Sequence, residues 1–168
     1  MVSPASLCGE FMRIDIRRLK PDEIPAAIEL SYDTFLRFEA PDYGPEGVEA
    51  FRRTVIENEE FLNKCRSGEN RIWGALDGDF LAGIFAMRGE SHICLVFTHH
   101  AYHRQGIASA LFNRVISDVR QDNPNVKKIT LNSSPFGLPF YLRMGLYPTD
   151  IERIVDGIRF TAMAYDLS

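Results

Sequence analysis

The pattern of apolar and polar positions divides the chain into strands and helices. Residues 12–17 alternate apolar with charged side chains, the period of two that is typical of a half-buried strand. From Pro21 onward the apolar positions follow helical spacing, and they continue on one face as far as Phe35. Residues 39–45 (EAPDYGP) contain two prolines and a glycine, which predicts a turn-rich connection. A second helix is predicted beyond it, with Gly68 as its end.

The rest of the chain is predicted to form strands around two further helices. The strands are expected at residues 71–76, 80–88, 92–98, 127–132, 146–151 and 158–166. A strongly amphipathic helix is predicted at residues 107–119. A shorter helix is expected to begin with Ser134 as its N-cap and Pro135 in its first turn. This order predicts one α/β domain with a mixed sheet and helices on both faces.

Length and composition agree with a single globular domain. The chain has 168 residues, of which 45% are hydrophobic and 25% charged, so it can form its own core. We place the domain at residues 12–168 and interpret residues 1–11 as a disordered leader. Either Met1 or Met12 is the natural start.

Charge and cysteine content disfavour several classes of protein. The formal net charge of −4 argues against non-specific binding to nucleic acid, which needs a basic face. Three cysteines at irregular spacing indicate free thiols in a reducing compartment. The sequence shows neither a signal-peptide pattern nor a run of about 18 apolar residues. We therefore expect a cytoplasmic protein that binds neither nucleic acid nor membrane.

The segment between the apolar strand and the amphipathic helix has the features of an anion site. Residues 98–108 (THHAYHRQGIA) form a short loop that leads into the helix at Gly106. Backbone N–H groups at a helix N-terminus carry partial positive charge, and a glycine lets an anion approach the backbone. Arg104 adds a cation. The loop lacks the Lys-Ser/Thr of a Walker P-loop and the repeated glycines of a dinucleotide fingerprint.

Two stretches of the sequence resemble the GNAT superfamily of acyl-CoA-dependent N-acetyltransferases. Residues 103–108 (HRQGIA) are similar to the family's Q/R-x-x-G-x-G/A loop, and residues 140–146 (FYLRMGL) are similar to its Phe-Tyr-x-x-x-Gly-Phe landmark. The motif resemblance covers about residues 92–148, and the element order extends it to nearly the whole chain. It implies a GNAT-like α/β fold with a mixed, mostly antiparallel sheet of six to seven strands, and acetyl-CoA as co-substrate.

The resemblance also implies where acetyl-CoA would bind. Its pyrophosphate is expected on the loop formed by His103, Arg104, Gln105, Gly106, Ile107 and Ala108. The family's central strand splays from its neighbour, which frees backbone groups of Phe97 and Thr98 for the pantetheine arm and the acetyl carbonyl. Asn132 and Ser134 complete the predicted cofactor contacts. His103 and Ser134 both depart from the family's usual residues, and capping of a helix is the other interpretation of Ser134.

Two residues are predicted to carry acid–base chemistry. Tyr141 stands where related enzymes place a tyrosine beside the CoA sulfur, and a well-placed phenol can donate to a departing thiolate. His92 is the predicted base, because a Glu base lies at a similar offset from the loop glycine in the histone-acetyltransferase branch of the family. Glu90, His99 or a chain of water molecules are the alternatives.

The histidines do not predict a metal site. The pattern His99-His100-x-x-His103 lacks the spacing of an HExxH motif, and no CxxC or carboxylate pair joins it. The expected chemistry therefore uses no metal.

The acceptor is left open by the sequence. Glu39, Asp42 and Tyr43 could attract a cationic amine, or they could form an exposed acidic turn. We expect direct transfer to a small-molecule amine or a protein amine, by a monomer or a homodimer. The alternatives are a non-catalytic acyl-CoA-binding sensor or regulatory domain, and an acyltransferase that uses a longer acyl-CoA or an O-acceptor.

Overall fold

The computed structural model describes residues 13–167, so the predicted leader at residues 1–11 and Met12 lie outside the described residues. The helices are α1 (Ile24–Thr34), α2 (Ala40–Phe51), α3 (Glu59–Ser67), α4 (Ile107–Asp122) and α5 (Leu138–Arg143). The strands are β1 (Ile14–Arg18), β2 (Arg71–Asp77), β3 (Phe80–Arg88), β4 (His92–Thr98), β5 (Lys128–Ser133), β6 (Tyr147–Pro148), β7 (Arg153–Val155) and β8 (Ile158–Asp166). None of the helices between residues 13 and 167 has the length and apolar character that crossing a bilayer requires.

The strands form one sheet in the order β1-β2-β3-β4-β5-β8-β6, and β7 also pairs with β8. Every neighbouring pair is antiparallel except β4 and β5, which confirms the mixed, mostly antiparallel sheet. The sheet has eight strands, where six to seven were expected. The predicted strand at 146–151 shrinks to Tyr147–Pro148, and the short β7 forms before the turn that leads into β8.

Helices pack on both faces of the sheet, as predicted. Helix α4 buries Leu111, Val115 and Val119 against one face. It approaches β3 closely, since a Cβ at Gly83 would lie 3.0 Å from the Ile107 side chain. Helices α1, α2 and α3 contribute to a second core on the opposite face, which contains Phe51 among its buried residues. The two cores therefore place helices on both faces of β3 and β4.

The predicted connection at residues 39–45 is wrong over most of its length. Helix α1 continues into a π-helical turn, Phe35–Glu39, and then directly into α2. The helical backbone is interrupted only at Gly44, where φ is 69° and ψ is −174°. Pro41 is tolerated because it lies in the first turn of α2, and Pro45 directly follows the break. Glu39 is therefore held on helical backbone and not on an irregular loop.

The second predicted helix is also divided. A π-helical turn over Arg52–Ile56 follows α2, and α3 begins after Asn58. The Asn58 side chain caps α3 by accepting a hydrogen bond of 3.1 Å from the Phe61 N–H. Gly68 ends α3 in the left-handed conformation, with φ at 85°, as the sequence predicts.

Candidate active site

Strands β4 and β5 pair at only two positions and then diverge. The paired residues are His92 with Thr130 and Ile93 with Leu131. A cavity of about 460 Å³, which we call the cleft, is lined by residues from β4, from α4, from the β5–α5 connection with α5, and from the end of α1 with its π-helical turn. The splay that the resemblance implied is therefore present between the described parts of these strands.

The β4 backbone presents alternate residues to the cleft. The N–H of His99 donates to the Ala82 carbonyl on the β3 side at 2.8 Å, whereas the Thr98 carbonyl accepts from the His103 ring Nε2 at 2.7 Å. Because backbone groups alternate in direction along an antiparallel strand, those of Thr98 and Val96 face away from β3. Those of Phe97 face β3, which corrects the expectation that they are free. Val96 therefore replaces Phe97 as the residue whose backbone groups face the cleft beside those of Thr98.

The N-terminus of α4 opens onto the cleft. Gly106 adopts φ of 80° immediately before the helix, and a Cβ placed on it would meet no atom within 4 Å. Among residues 13–167, no acceptor pairs with the backbone N–H groups of residues 106–109. Arg104 is exposed beside them, also with positive φ, at 61°. Free N–H groups, open space and a guanidinium together form a site that suits a phosphate.

Two side chains of the α4 loop serve the protein itself. His103 lines the cleft but uses its ring to hold the Thr98 carbonyl. The Gln105 amide turns back and donates to the Ala101 carbonyl at 3.0 Å, so this side chain does not line the cleft. Both residues support the loop conformation.

Ser134 caps a turn before α5. Its Oγ accepts a hydrogen bond of 3.0 Å from the Gly137 N–H, and its carbonyl accepts from the Leu138 N–H at 3.1 Å. The helix proper begins at Leu138, later than predicted, and has Pro139 in its first turn. The capping interpretation of Ser134 therefore holds for a turn, while its hydroxyl still reaches the cleft.

Four polar side chains from four parts of the chain meet near this turn: Glu39, Tyr43, Ser134 and Tyr141. The Glu39 carboxyl keeps a partly open surface toward the cleft but is otherwise surrounded by protein. This burial raises its pKa from an ordinary 4.5 to about 7, against the opposing effect of the Ser134 hydroxyl and with a further rise from Asp42. A carboxyl with this pKa exchanges its proton near neutral pH.

Tyr141 is the most deeply placed member of this cluster. Its side chain is only 7% exposed, and its ring packs so closely that a Cβ on Gly137 would lie 3.0 Å from it. Burial raises the pKa of the phenol well above its usual value, with smaller contributions from Glu39 and Tyr43. Burial, followed by the charge of Glu39, likewise raises the pKa of Tyr43. Tyr141 therefore keeps its proton and can act as a hydrogen-bond donor throughout the neutral range.

The structure does not bring His92 into the cleft. His92 lies at the start of β4, where the two strands are still paired, and its Nδ1 is 2.9 Å from the Thr130 Oγ1. About 20 Å of extended strand separate it from Thr98. Burial, together with the nearby Arg88, lowers its pKa. His92 does not line the cleft, so its position gives no support to the expectation that it is the base.

Most of the other predicted site residues meet at the cleft. Its lining includes Glu39, Phe97, Thr98, His103, Arg104, Gly106, Ile107, Ala108, Ser134 and Tyr141. The predicted residues outside the lining are His92, Gln105, Asn132, Asp42 and Tyr43. Asn132 is exposed on β5 opposite Ala162 of β8, and Asp42 is exposed on α2.

Four aromatic residues of the cleft lining were not predicted as site residues: Phe38, Tyr102, Phe136 and Phe140. Phe38 lies beside Glu39 in the π-helical turn, and Phe136 follows Pro135 in the β5–α5 connection. Their rings stack with centroids 5.1 Å apart. Neither Phe38 nor Phe136 belongs to the two short motifs, and the one available signal was that Phe136 is a large apolar residue in a predicted helix start.

The comparisons with known proteins agree with this architecture. A family model described as "Acetyltransferase (GNAT) domain" matches residues 39–167. No curated protein has a significant sequence match to this chain.

Three solved structures illustrate the shared fold. A GCN5-related N-acetyltransferase from Rhodopseudomonas palustris has a TM-score of 0.78 and 17% identity, covering 94% of this chain and 98% of that one. The PaiA N-acetyltransferase of Thermoplasma acidophilum in complex with coenzyme A has a TM-score of 0.73 and 19% identity, covering 92% and 99%. An aminoglycoside 6'-N-acetyltransferase complexed with coenzyme A has a TM-score of 0.62 and 13% identity, covering 92% and 97%.

The raised pKa of Glu39 predicts a pH-dependent cost to stability. Between its ordinary pKa of 4.5 and about 7, the folded protein retains a proton that the unfolded chain releases, so the free energy of unfolding falls as pH rises through this window. The variant Glu39→Gln should therefore be more stable than wild type at pH 8, by on the order of 2 kcal/mol, and should show no such gain at pH 4. Thermal unfolding at both pH values measures this.

The matched control for this measurement is Glu46→Gln, which changes an exposed carboxylate of α2. An equal gain at pH 8 in both variants would show that overall charge, and not the burial of Glu39, is responsible.

Proposed function

This chain belongs to the GNAT acetyltransferase family, and we propose that it is an N-acetyltransferase that transfers the acetyl group of acetyl-CoA to a primary amine by direct attack in a ternary complex. The observation that carries the proposal is that a carboxyl with a pKa of about 7 and a buried, protonated phenol line the same cleft. A proton acceptor for the amine and a hydrogen-bond donor for the departing sulfur, held in one cleft, suit transfer of an acetyl group to an amine.

Acetyl-CoA suits the cleft in two respects. The unpaired N–H groups of residues 106–109 and the Arg104 guanidinium would hold its pyrophosphate. The backbone groups of Val96 and Thr98 face the space in which the pantetheine arm and the acetyl carbonyl would lie. Donors aimed at that carbonyl stabilise the negative charge that develops on its oxygen during attack. Coenzyme A in two of the similar structures supports the same co-substrate.

Glu39 is the base in this proposal. Its carboxylate attracts the ammonium form of the acceptor and accepts a proton from it, which leaves a neutral amine to attack the thioester carbon. A pKa near the working pH lets the same group take up and release that proton in each cycle. Glu39 was predicted only as a residue that attracts the acceptor, and its surroundings support the further role.

Tyr141 assists the leaving group. As the C–N bond forms and the C–S bond breaks, the phenol keeps its proton and donates a hydrogen bond that stabilises the negative charge on the departing sulfur. The nitrogen loses its second proton to solvent as the amide forms, the thiolate takes a proton from solvent to give the CoA thiol, and the proton held by Glu39 also passes to solvent. The reaction yields the acetylated amine and CoA, with no change in oxidation state.

The α4 N-terminus yields the first test. Acetyl-CoA should raise the Tm of the wild type, because a ligand present at about 100 times its Kd stabilises the folded state by about 2.7 kcal/mol. Gly106→Asp should abolish this shift, since it places a side chain and a negative charge among the free N–H groups. Thermal unfolding with and without acetyl-CoA measures the effect.

Gly78→Asp is the matched control for this substitution. Gly78 also has positive φ and open space where a Cβ would lie, but it belongs to the β2–β3 turn. The control should lose stability from the same backbone strain and keep its full response to acetyl-CoA. Loss of the response in both variants would mean that strain, and not blocked binding, is the cause.

Removing the phenol hydroxyl tests the role of Tyr141. Tyr141→Phe should lower the rate constant for acetyl transfer, measured in single turnovers, by about 100-fold, while the Kd of acetyl-CoA changes little. Tyr147→Phe is the control, because Tyr147 is exposed on β6 and donates its hydroxyl to Asp166 at 2.9 Å. An unchanged rate in Tyr141→Phe would leave Tyr141 with a packing role only.

The pH profile separates Glu39 from His92 as the base. The kcat/KM of the wild type should rise with pH through an apparent pKa of about 7, which forms the lower limb of the profile. The acceptor amine contributes a separate limb through its own ionisation. Glu39→Gln should lose the lower limb and about 100- to 10,000-fold in rate. His92→Gln should retain both, because His92 lies outside the cleft. A limb that disappears in His92→Gln and persists in Glu39→Gln would reverse the assignment.

A further inference from the structure

The aromatic rings at the cleft suggest what kind of amine is accepted. Phe38 forms a cluster with two other rings: its centroid is 4.6 Å from that of His103 and 5.1 Å from that of Phe136, and the latter two are 6.4 Å apart. Phe136 remains 51% exposed, although it lines the cleft. Because Phe136 lies in a concave lining with apolar neighbours, its exposed ring is available for contact with a ligand in the cleft.

Charge in the cleft argues against a polycationic acceptor. Among the described residues of the lining, Glu39 is the only acidic one, whereas Arg104 and Arg143 are both cationic. Since Arg104 is assigned to the pyrophosphate above, the lining offers an acceptor one carboxylate, that of Glu39, with which an ammonium group can pair. A single amino group is therefore the charge that this lining can balance.

From these observations we propose that the acceptor is a monoamine with a flat, aromatic body. This inference rests on the N-acetyltransferase function proposed above and names the substrate class of the same site. The amino group of the acceptor lies at Glu39, and its ring lies against Phe136 and Phe38. One ligand can reach both, because Phe38 and Glu39 are neighbours in the π-helical turn and both line the cleft. Aromatic pairs favour offset-stacked or edge-to-face contacts, so a flat ring gains more here than a puckered one of the same size.

An amine series tests this directly. Initial rates of CoA release are measured with 2-phenylethylamine, 2-cyclohexylethylamine and spermidine, at saturating acetyl-CoA. The kcat/KM should be highest for 2-phenylethylamine, about 2- to 10-fold above that for the cyclohexyl analogue, and lowest for spermidine. A higher kcat/KM for spermidine or for the cyclohexyl amine would overturn the inference while leaving the proposed function intact. Absence of transfer to all three amines would overturn the inference, whereas the Tm response to acetyl-CoA tests the co-substrate of the proposed function independently.

Variants of the exposed ring locate the contact. Phe136→Leu should raise the KM for 2-phenylethylamine by about 2- to 10-fold and leave that for 2-cyclohexylethylamine nearly unchanged. Phe136→Tyr keeps the ring and should restore the wild-type KM. Leu142→Ala, which shortens an exposed apolar residue of α5 outside the cleft lining, should have no effect. If Phe136→Leu instead raises the KM for acetyl-CoA and not that for the amine, the ring belongs to the co-substrate path and the inference is wrong.

Discussion

The early separation of β4 from β5 is the constraint on which the rest of this structure depends. Two paired positions hold the strands together, and beyond Ile93 their facing backbone groups no longer bond to each other. Such groups need other partners, and the protein supplies one where the His103 ring donates to the Thr98 carbonyl. The remaining groups border the cleft, where a ligand can satisfy them. Continuous pairing would remove both the cavity and its donors.

The cleft also holds two ionisable side chains, Glu39 and Tyr141, in surroundings that make their charged forms unfavourable. Burial favours the protonated forms of Glu39 and Tyr141, so ionising either group is costly. For Glu39 this cost brings its pKa to the range in which a carboxyl can exchange protons with an amine near neutral pH. The same desolvation therefore lowers stability above the ordinary pKa of the group and supplies the proposed chemistry, a combination found at many functional sites.

A close contact between two glycines fixes the helices that carry the acceptor side of the cleft. A Cβ on Gly47 of α2 would lie 2.7 Å from the Gly157 carbonyl oxygen, and a Cβ on Gly157 would lie 2.6 Å from the Gly47 nitrogen. Only residues without side chains allow α2 to approach the turn before β8 this closely. Since the helical path is interrupted only at Gly44, this contact helps to hold Tyr43 and Glu39 against the β5–α5 connection.

The sequence by itself determined the features that depend on neighbouring residues. Strong periodicity predicted the strands at 80–88 and 92–98 and the position of α4, and local motifs pointed to the Gly106 loop and to Tyr141. What it could not determine depends on contacts between distant segments. His92 was predicted from its offset from the loop glycine along the chain. That offset does not tell which part of β4 borders the cleft, and the tertiary structure places His92 where β4 and β5 are still paired. Glu39 looked like part of a turn, because neither the continuation of α1 through a π-helical turn nor the packing that raises its pKa is encoded in residues 39–45 alone.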